Sequence, residues 1–331
     1  MADVQKQFEE YHSKIRTDYG MSQTLRKKRD IVVEKIKKHM RDNNLPVPTQ
    51  LLQGSYKMKT GVKPIADIEY DIDVGLRFDI HIDEYTAGGA RAWVLEAIGT
   101  HTMKVESKNP CIRICYEAGY HLDIVSYAVW EDSEGIKQYR LAHKNNGWTP
   151  ADPPGLLNYV DAARLPFKGT EDSETQTDQF RRCVRSLRRW ADELRPIDDD
   201  DCKPSGIALV LLSIQNSLTP TKFLDDRSDD RKALENLSFT LASTVGRLQA
   251  NKPTPGYEDI LAGFSDDEME QLKAELSELN SALVFAGSNI DPVETCKRLQ
   301  EVFGEDFPVP EPKDTAKKTS APAIITSSAS A

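Results

Sequence analysis

No run of about 18 apolar residues, the length a membrane-spanning helix needs, occurs in the 331-residue sequence. The first twenty residues carry Asp3, Glu9, Glu10 and Asp18 where a secretory signal would carry an apolar block. Cysteine is sparse. The five present (Cys111, Cys115, Cys183, Cys202 and Cys296) are odd in number and include no C-x-x-C pair. Neither a disulfide framework nor a thiolate zinc site is indicated, and they read as reduced core thiols. Positive charge is in deficit, with 43 Lys and Arg against 53 Asp and Glu and a net charge of −10. That balance disfavours binding a long nucleic acid, which is driven by counterion release at basic surfaces, though a local basic cleft remains compatible with it. The expectation is a soluble cytoplasmic protein with no membrane partner, long enough to bury a cleft between two lobes.

Hydrophobic periodicity divides the chain. The first ~45 residues read as helical, with Ser22 as a cap and Leu25, Val32, Ile36 and Met40 returning to one face until Pro46 and Pro48. From Gln50 to Val129 short β-like runs take over: Asp71 to Phe78, Cys111 to Glu117 and Tyr120 to Val129. Residues 143–177 are rich in Pro, Gly, Asn and Asp and suggest a long loop or crossover, with Pro153, Pro154 and Gly155 set against a continuous helix. Helical spacing then returns over 178–195, 205–218, 233–250 (Leu234, Leu237, Leu241, Val245, Leu248), 265–286 and 291–303. Ser265 with Glu268 has capping-box spacing, and Asp291-Pro292 supplies an N-cap and a favoured first helical residue. Ile207 to Leu212 is apolar on every side, as a core segment is. The expected units are 1–150 (N-terminal helix and catalytic lobe), 151–310 (helical lobe) and 311–331 (a small, polar, disordered tail).

The sharpest local feature is Gln53-Gly54-Ser55 followed sixteen residues later by Asp71-Ile72-Asp73. In a strand, residues two apart share a face, so Asp71 and Asp73 project together while Ile72, Val74 and Leu76 pack the other side. Two adjacent carboxylates repel unless a cation lies between them, and Mg²⁺ favours oxygen donors completed by substrate phosphate. Asp123 in His121-Leu-Asp-Ile-Val125 lies on a similar alternation and would complete a set able to hold two ions. The chemistry this implies is two-metal phosphoryl transfer, with Mg²⁺ replaceable by Mn²⁺. One ion, held by Asp123, activates a hydroxyl and the other neutralises departing pyrophosphate, with Asp71 and Asp73 bridging both. Gly54 admits close backbone approach to phosphate, and Ser55 offers its hydroxyl and amide.

Two basic features accompany it. Arg181, Arg185 and Arg188 form a ladder at helical spacing, with Arg182 and Arg189 further round. The ladder either faces a cleft and grips a triphosphate or is a solvated face paired with Asp198 to Asp201. Lys203 and Ser205, at a helix start, either contact phosphate or simply cap. His81, His101, His121 and His143 show no ligand spacing, and Trp148 either anchors its loop or stacks on a base.

Taken together, Gln53-Gly-Ser-Tyr-Lys-Met-Lys-Thr60, Tyr70-Asp-Ile-Asp-Val-Gly75 and Leu122-Asp123 resemble the bacterial cGAS/DncV-like nucleotidyltransferases of antiphage (CBASS) signalling. Asp152-Pro-Pro-Gly-Leu156, the Arg-rich helix ending in Trp190, Lys203-Pro-Ser-Gly-Ile207 and Val302 to Pro308 extend the resemblance over about residues 20 to 310. It implies an α/β polymerase-beta-like nucleotidyltransferase fold: a mixed sheet with a long N-terminal helix and a helical C-terminal lobe. It implies that Asp71, Asp73 and Asp123 hold the metals. Gln53, Gly54, Ser55, Arg181, Arg182, Arg185, Lys203 and Ser205 would bind nucleotide, although relatives often carry a Lys on the helix occupied here by Arg181 to Arg189. It further implies template-independent joining of nucleoside triphosphates, ATP and GTP by preference, into a cyclic di- or trinucleotide that activates a separate effector protein. Conjugation of the C-terminus, here Ser330-Ala331, by ubiquitin-like machinery is known among some relatives. The alternative readings are a linear oligonucleotide synthase, a small-molecule nucleotidyltransferase, a metal-dependent glycosyltransferase and a nucleotide sensor.

Overall fold

The computed structural model describes residues 3–17, 19–65, 70–99, 104–116, 119–194 and 203–311. Alternation in the acid-bearing segments persists as two long strands. These are β2 (Tyr70–Asp79) and β5 (Tyr120–Glu131), joined by β1 (Thr49–Leu52), β3 (Lys104–Ser107), β4 (Ile112–Tyr116), β6 (Lys137–His143) and β7 (Gly147–Ala151). The path of the sheet is β1-β2-β5-β4-β3, with β6 pairing on β5 and β7 on β6. β2 and β5 are parallel while the other pairs are antiparallel, so the sheet is mixed, as expected. Ile72, Val74, Leu76 and Phe78 of β2, with Leu122 and Ile124 of β5, turn inward. They meet Val32, Val33, Ile36 and Met40 of α2 (Tyr19–Asp42) and Val94 and Ile98 of α4 (Ala87–Ile98). Strand residues of opposite parity are left on the other face.

α2 begins at Tyr19, so Ser22 lies within it and does not cap it. The expected apolar face holds at Val32, Ile36 and Met40, while the Leu25 side chain falls outside the described residues. The helix that precedes it, α1 (Gln5–Ile15), belongs to a different core: Phe8 and Tyr11 pack edge-on and tilted against Phe303 and Phe307. The N-terminal ~45 residues are therefore two helices serving two lobes.

The rest of the helical lobe is α5 (Pro153–Ala163), α6 (Gln179–Leu194), α7 (Gly206–Gln215), α8 (Asp230–Ala242), α9 (Asp266–Ser288) and α10 (Pro292–Phe303). α5 corrects the loop expected over 143–177. Proline removes a hydrogen bond only inside a helix; at Pro153 and Pro154, the first positions of α5, the missing donors are ones the helix leaves unpaired anyway. Asp152 caps the start by accepting from the Gly155 amide at 2.9 Å. The helix expected over 233–250 stops at Ala242, leaving Val245 exposed, whereas Leu248 is buried from non-helical backbone. The capping box at Ser265 and Glu268 and the cap at Asp291 form as the spacing predicts. Ala208 to Leu212 of α7 are almost wholly buried, in line with their all-round apolarity. Among the described residues, no helix is long and apolar enough to cross a membrane. Cys111, Cys115, Cys183 and Cys296 are free thiols; Cys202 and the tail from 312 lie outside the described residues.

A buried polar network fastens the helical lobe together. Arg182 donates to both carboxylate oxygens of Asp230, at 2.6 and 2.8 Å, and to Thr170 O at 2.8 Å. Gln179 Nε2 reaches the same carboxylate at 3.0 Å, and Gln5 Oε1 accepts from the Asp230 amide at 2.8 Å. Removing one partner strands the other's charge in apolar surroundings, so Arg182→Ala should cost about 3–5 kcal/mol in urea unfolding.

His12 of α1 is buried beside the Arg185 guanidinium, and burial, then that positive neighbour, depress its pKa to about 2. Below pH 6.5 the unfolded chain takes up a proton there and the folded one does not, so stability falls as pH drops from about 6.5 toward 2. This one site should contribute about 1.4 kcal/mol of loss per pH unit between pH 6 and 5. Denaturant midpoints of His12→Gln should lack that share of the slope.

Candidate active site

The register of the parallel pair decides the site. Asp73 of β2 lies opposite Asp123 of β5, and Asp71 opposite His121. Parallel neighbours in register point to the same side and sit about 4.8 Å apart, so the two facing carboxylates share one patch. Alternation assigns position 71 to that face too, although its side chain lies outside the described residues. Asp73 of β2 with His121 and Tyr127 of β5 line a cavity of 1110 Å³ between the sheet and the helical lobe, and Asp123 sits beside them behind Arg113, which also lines it.

Each described carboxylate is held. Arg113 of β4, the cross-strand partner of Asp123, grips it bidentately, Nε to Oδ1 and Nη2 to Oδ2, both at 2.8 Å. Asp73 lies against Gly54, the first residue of α3 (Gly54–Met58), so closely that a methyl group there would collide with its Oδ2. Gly54 also has φ of +66°, a conformation that side chains disfavour. The phenol of Tyr127 donates to Gln53 Oε1 at 2.9 Å, which fixes the residue before that turn. Burial raises the Tyr127 pKa, and burial followed by the Asp123 charge pushes the Cys111 thiol up to about 12, so both stay protonated beside the acids.

The donor chemistry fits a divalent ion. Asp73 lines the open cavity and Asp123 stands beside it on the adjacent strand, hard oxygen donors of the kind Mg²⁺ takes with one or two carboxylates and substrate phosphate. Among the described residues no three His, Cys, Asp or Glu side chains gather around one point, and the Asp71 side chain is not among those described.

The other expected site residues divide. Gln53, Gly54, Ser55, Lys203 and Ser205 line the cavity. Ser205 caps α7 through the Ala208 amide at 3.3 Å, and Lys203 is paired with Asp192. Arg181, Arg182 and Arg185 do not line it. The expectation that they grip a triphosphate is corrected: Arg182 is committed to Asp230 in the core, and Arg181 and Arg185 bond backbone carbonyls of residues 58–61. Nor are they a solvated face, since the helix carrying them is enclosed by α1, α7, α8 and α10, and the Asp198 to Asp201 run lies outside the described residues. Arg188 does line the cavity. Trp148 anchors its strand by donating to Tyr85 O at 2.8 Å.

Arg113, His121 and Tyr127 went unassigned in the sequence. The first was legible: in Ile112-Arg-Ile114 the alternation already sets Arg113 opposite the apolar face. His121 and Tyr127 share the parity of Asp123 but carry no signal that separates cavity lining from ordinary strand.

Residues 48–127 match the family model of the cyclic GMP-AMP synthase DncV-like nucleotidyltransferase domain. The whole fold resembles the Vibrio cholerae DncV cyclic AMP-GMP synthase, described as a prokaryotic cGAS homolog. The TM-score is 0.69 at 18% identity, covering 91% of this chain and 97% of that one. The apo form of that protein gives 0.70 at 17% identity, covering 91% and 96%. Its complex with the linear intermediate 5′ pppA(3′,5′)pG gives 0.67 at 17%, with the same coverage.

Gly54→Ala tests the close approach to Asp73. The variant should fold with an unchanged far-ultraviolet spectrum. Its affinity for a triphosphate with Mg²⁺, measured by calorimetry, should fall about tenfold or more, as displacing one hydrogen-bonded contact to a charged group implies.

Proposed function

We propose that this chain, which carries a DncV-like nucleotidyltransferase domain, joins nucleoside triphosphates into a cyclic di- or trinucleotide with release of pyrophosphate. The observation that carries the reading is that Asp73, paired with Asp123 across the parallel strands, lines a 1110 Å³ cavity together with Gly54 and Ser55. That volume exceeds the roughly 300–1,000 Å³ of an ordinary small-molecule site, which suits a donor and an acceptor nucleotide bound together. The linear dinucleotide held by the similar Vibrio cholerae enzyme supports sequential joining followed by ring closure.

Asp73, Asp123 and, by its place on the strand, Asp71 would hold the divalent ions. Bound there, two such ions supply hydroxyl activation and neutralisation of the departing pyrophosphate. The protein's own part is positioning. Gly54 lets the backbone come close to the donor phosphates, and Ser55 offers its hydroxyl and amide beside Asp73. Lys203 and Ser205 supply a cation and a hydroxyl from the opposite wall, with Arg188 between. Arg113 orients the Asp123 carboxylate and balances its charge. The resemblance supports purine substrates, ATP and GTP, and a role in antiphage signalling through a separate effector protein, with the C-terminal tail open to conjugation.

The test is product identification. Incubation with the four triphosphates and Mg²⁺ or Mn²⁺, then phosphatase and mass spectrometry, should yield a phosphatase-resistant product. A product degraded to free ends would instead mark a linear synthase, and a nucleotidylated small molecule the third reading. Asp73→Asn and Asp123→Asn should each slow pyrophosphate release by about 10³-fold, the factor that several kcal/mol of metal stabilisation represents. Release equal to the parent's from both variants would sink the assignment.

A further inference from the structure

Four consecutive carbonyls run from Met58, the last residue of α3, to Gly61, and each is taken by an arginine of α6. Arg181 Nε donates to Met58 O at 3.2 Å, Arg185 Nη2 to Lys59 O at 2.7 Å, Arg188 Nη1 to Thr60 O at 2.8 Å and Arg185 Nε to Gly61 O at 3.1 Å. The earlier carbonyls of the turn are satisfied locally, Ser55 O by the Thr60 amide at 2.9 Å and Tyr56 O by the Lys59 amide at 3.3 Å. Lys59 adopts φ of +56°, so the chain leaves α3 in a sharp left-handed bend with its carbonyls fanned toward α6. Spacing of four and three residues places the three guanidinium groups on one helix face, where like charges repel unless strong acceptors hold them. The fan of carbonyls provides those acceptors. Behind it, the neutral His12 ring accepts from Arg185 Nη1 at 2.5 Å, and Lys63 N donates to Ile15 O at 2.6 Å, so α1 grips the same segment.

We propose that Arg181, Arg185 and Arg188 are positioning residues: they clamp the C-terminal end of α3 so that its first residues, Gly54 and Ser55, are held at a fixed height over Asp73. The inference rests on the reading that Gly54 and Ser55 meet the donor triphosphate. α3 has five residues, so at 1.5 Å per residue the clamped end lies only about 7 Å from Gly54 and a shift at one end is felt at the other. There is no slack at the far end, because Gly54 already abuts the Asp73 carboxylate. Arg188 extends the clamp across the cleft. Its guanidinium packs flat on Gly206, the first residue of α7, where a Cβ would lie 2.8 Å from Arg188 Cζ. Thr60 O on one wall and the Ser205-Gly206 start of α7 on the other are thus spaced by one side chain. The arginine ladder acts on the nucleotide through the backbone of the turn, with Arg181 and Arg185 outside the cavity.

The test uses the full chain and two readouts. Hydrogen exchange followed by mass spectrometry on Arg185→Ala should show amides in 55–62 exchanging about tenfold faster or more, the factor carried by loss of a charge-assisted hydrogen bond, with β5 and α9 unchanged. Pyrophosphate release should show a KM for ATP raised by a similar factor and kcat reduced less. Added guanidinium ion should lower that KM again, and Arg185→Lys, which keeps the charge and reaches a single carbonyl, should fall between parent and Ala variant. Unchanged exchange in 55–62 overturns the clamp, as does faster exchange spread over the whole lobe without guanidinium rescue. If Arg185→Ala is insoluble, Arg181→Gln, at the edge of the cluster, carries the same comparison and the same criteria. A parent that neither binds nor consumes triphosphates would defeat the functional reading alone, since the exchange comparison judges the clamp without it.

Discussion

The parallel pairing of β2 with β5 is the constraint on which the site depends. With the strands parallel, Asp73 and Asp123 stand side by side. The Gln53-Gly54-Ser55 turn, delivered by β1 from the neighbouring edge, closes over Asp73. The cost is a concentration of negative charge, and the sheet itself answers part of it: Arg113 arrives from β4 on the other side of β5 and shares both oxygens of Asp123. The carboxylates, with Cys111 and Tyr127 protonated beside them, form a surface whose donors suit a cation and a phosphate-bearing ligand together.

The helical lobe does more than wall off the cavity. α1 leaves the catalytic half to pack with α6 and α10, while α2, next in the chain, returns to cover the sheet. The two lobes are therefore laced by covalent crossings at both ends, and the segment 58–63 is held by α1 and α6 side chains and backbone. That lacing puts the geometry of the Gly54 turn under the control of residues far along the sequence, such as Arg185 and Arg188.

α6 shows why a ladder of like charges misleads. Period and composition place Arg181, Arg185 and Arg188 on one face, and in an isolated helix that face would be solvated or offered to an anion. Backbone carbonyls are equally good acceptors for guanidinium groups, but no sequence pattern announces where a distant turn will present four of them. The same blindness applies to Arg182, whose partner Asp230 lies 48 residues on. Pro153 and Pro154 erred in the opposite direction: a residue that forbids a helix interior favours a helix start, and only the Asp152 cap distinguishes the two.

Local chemistry settled a good deal in the sequence alone. Period-two alternation set Ile72, Val74, Leu122 and Ile124 inward and Asp73 and Asp123 outward, and capping residues marked the starts of α9 and α10, because these depend on neighbours one to four positions away. Tertiary structure alone decided that β5 lies beside β2 in register, that Arg113 meets Asp123, and that Arg181, Arg182 and Arg185 of α6 bond the chain itself and not the cavity. Those outcomes depend on contacts across tens to more than a hundred residues, where burial and charge select among partners that local spacing cannot rank.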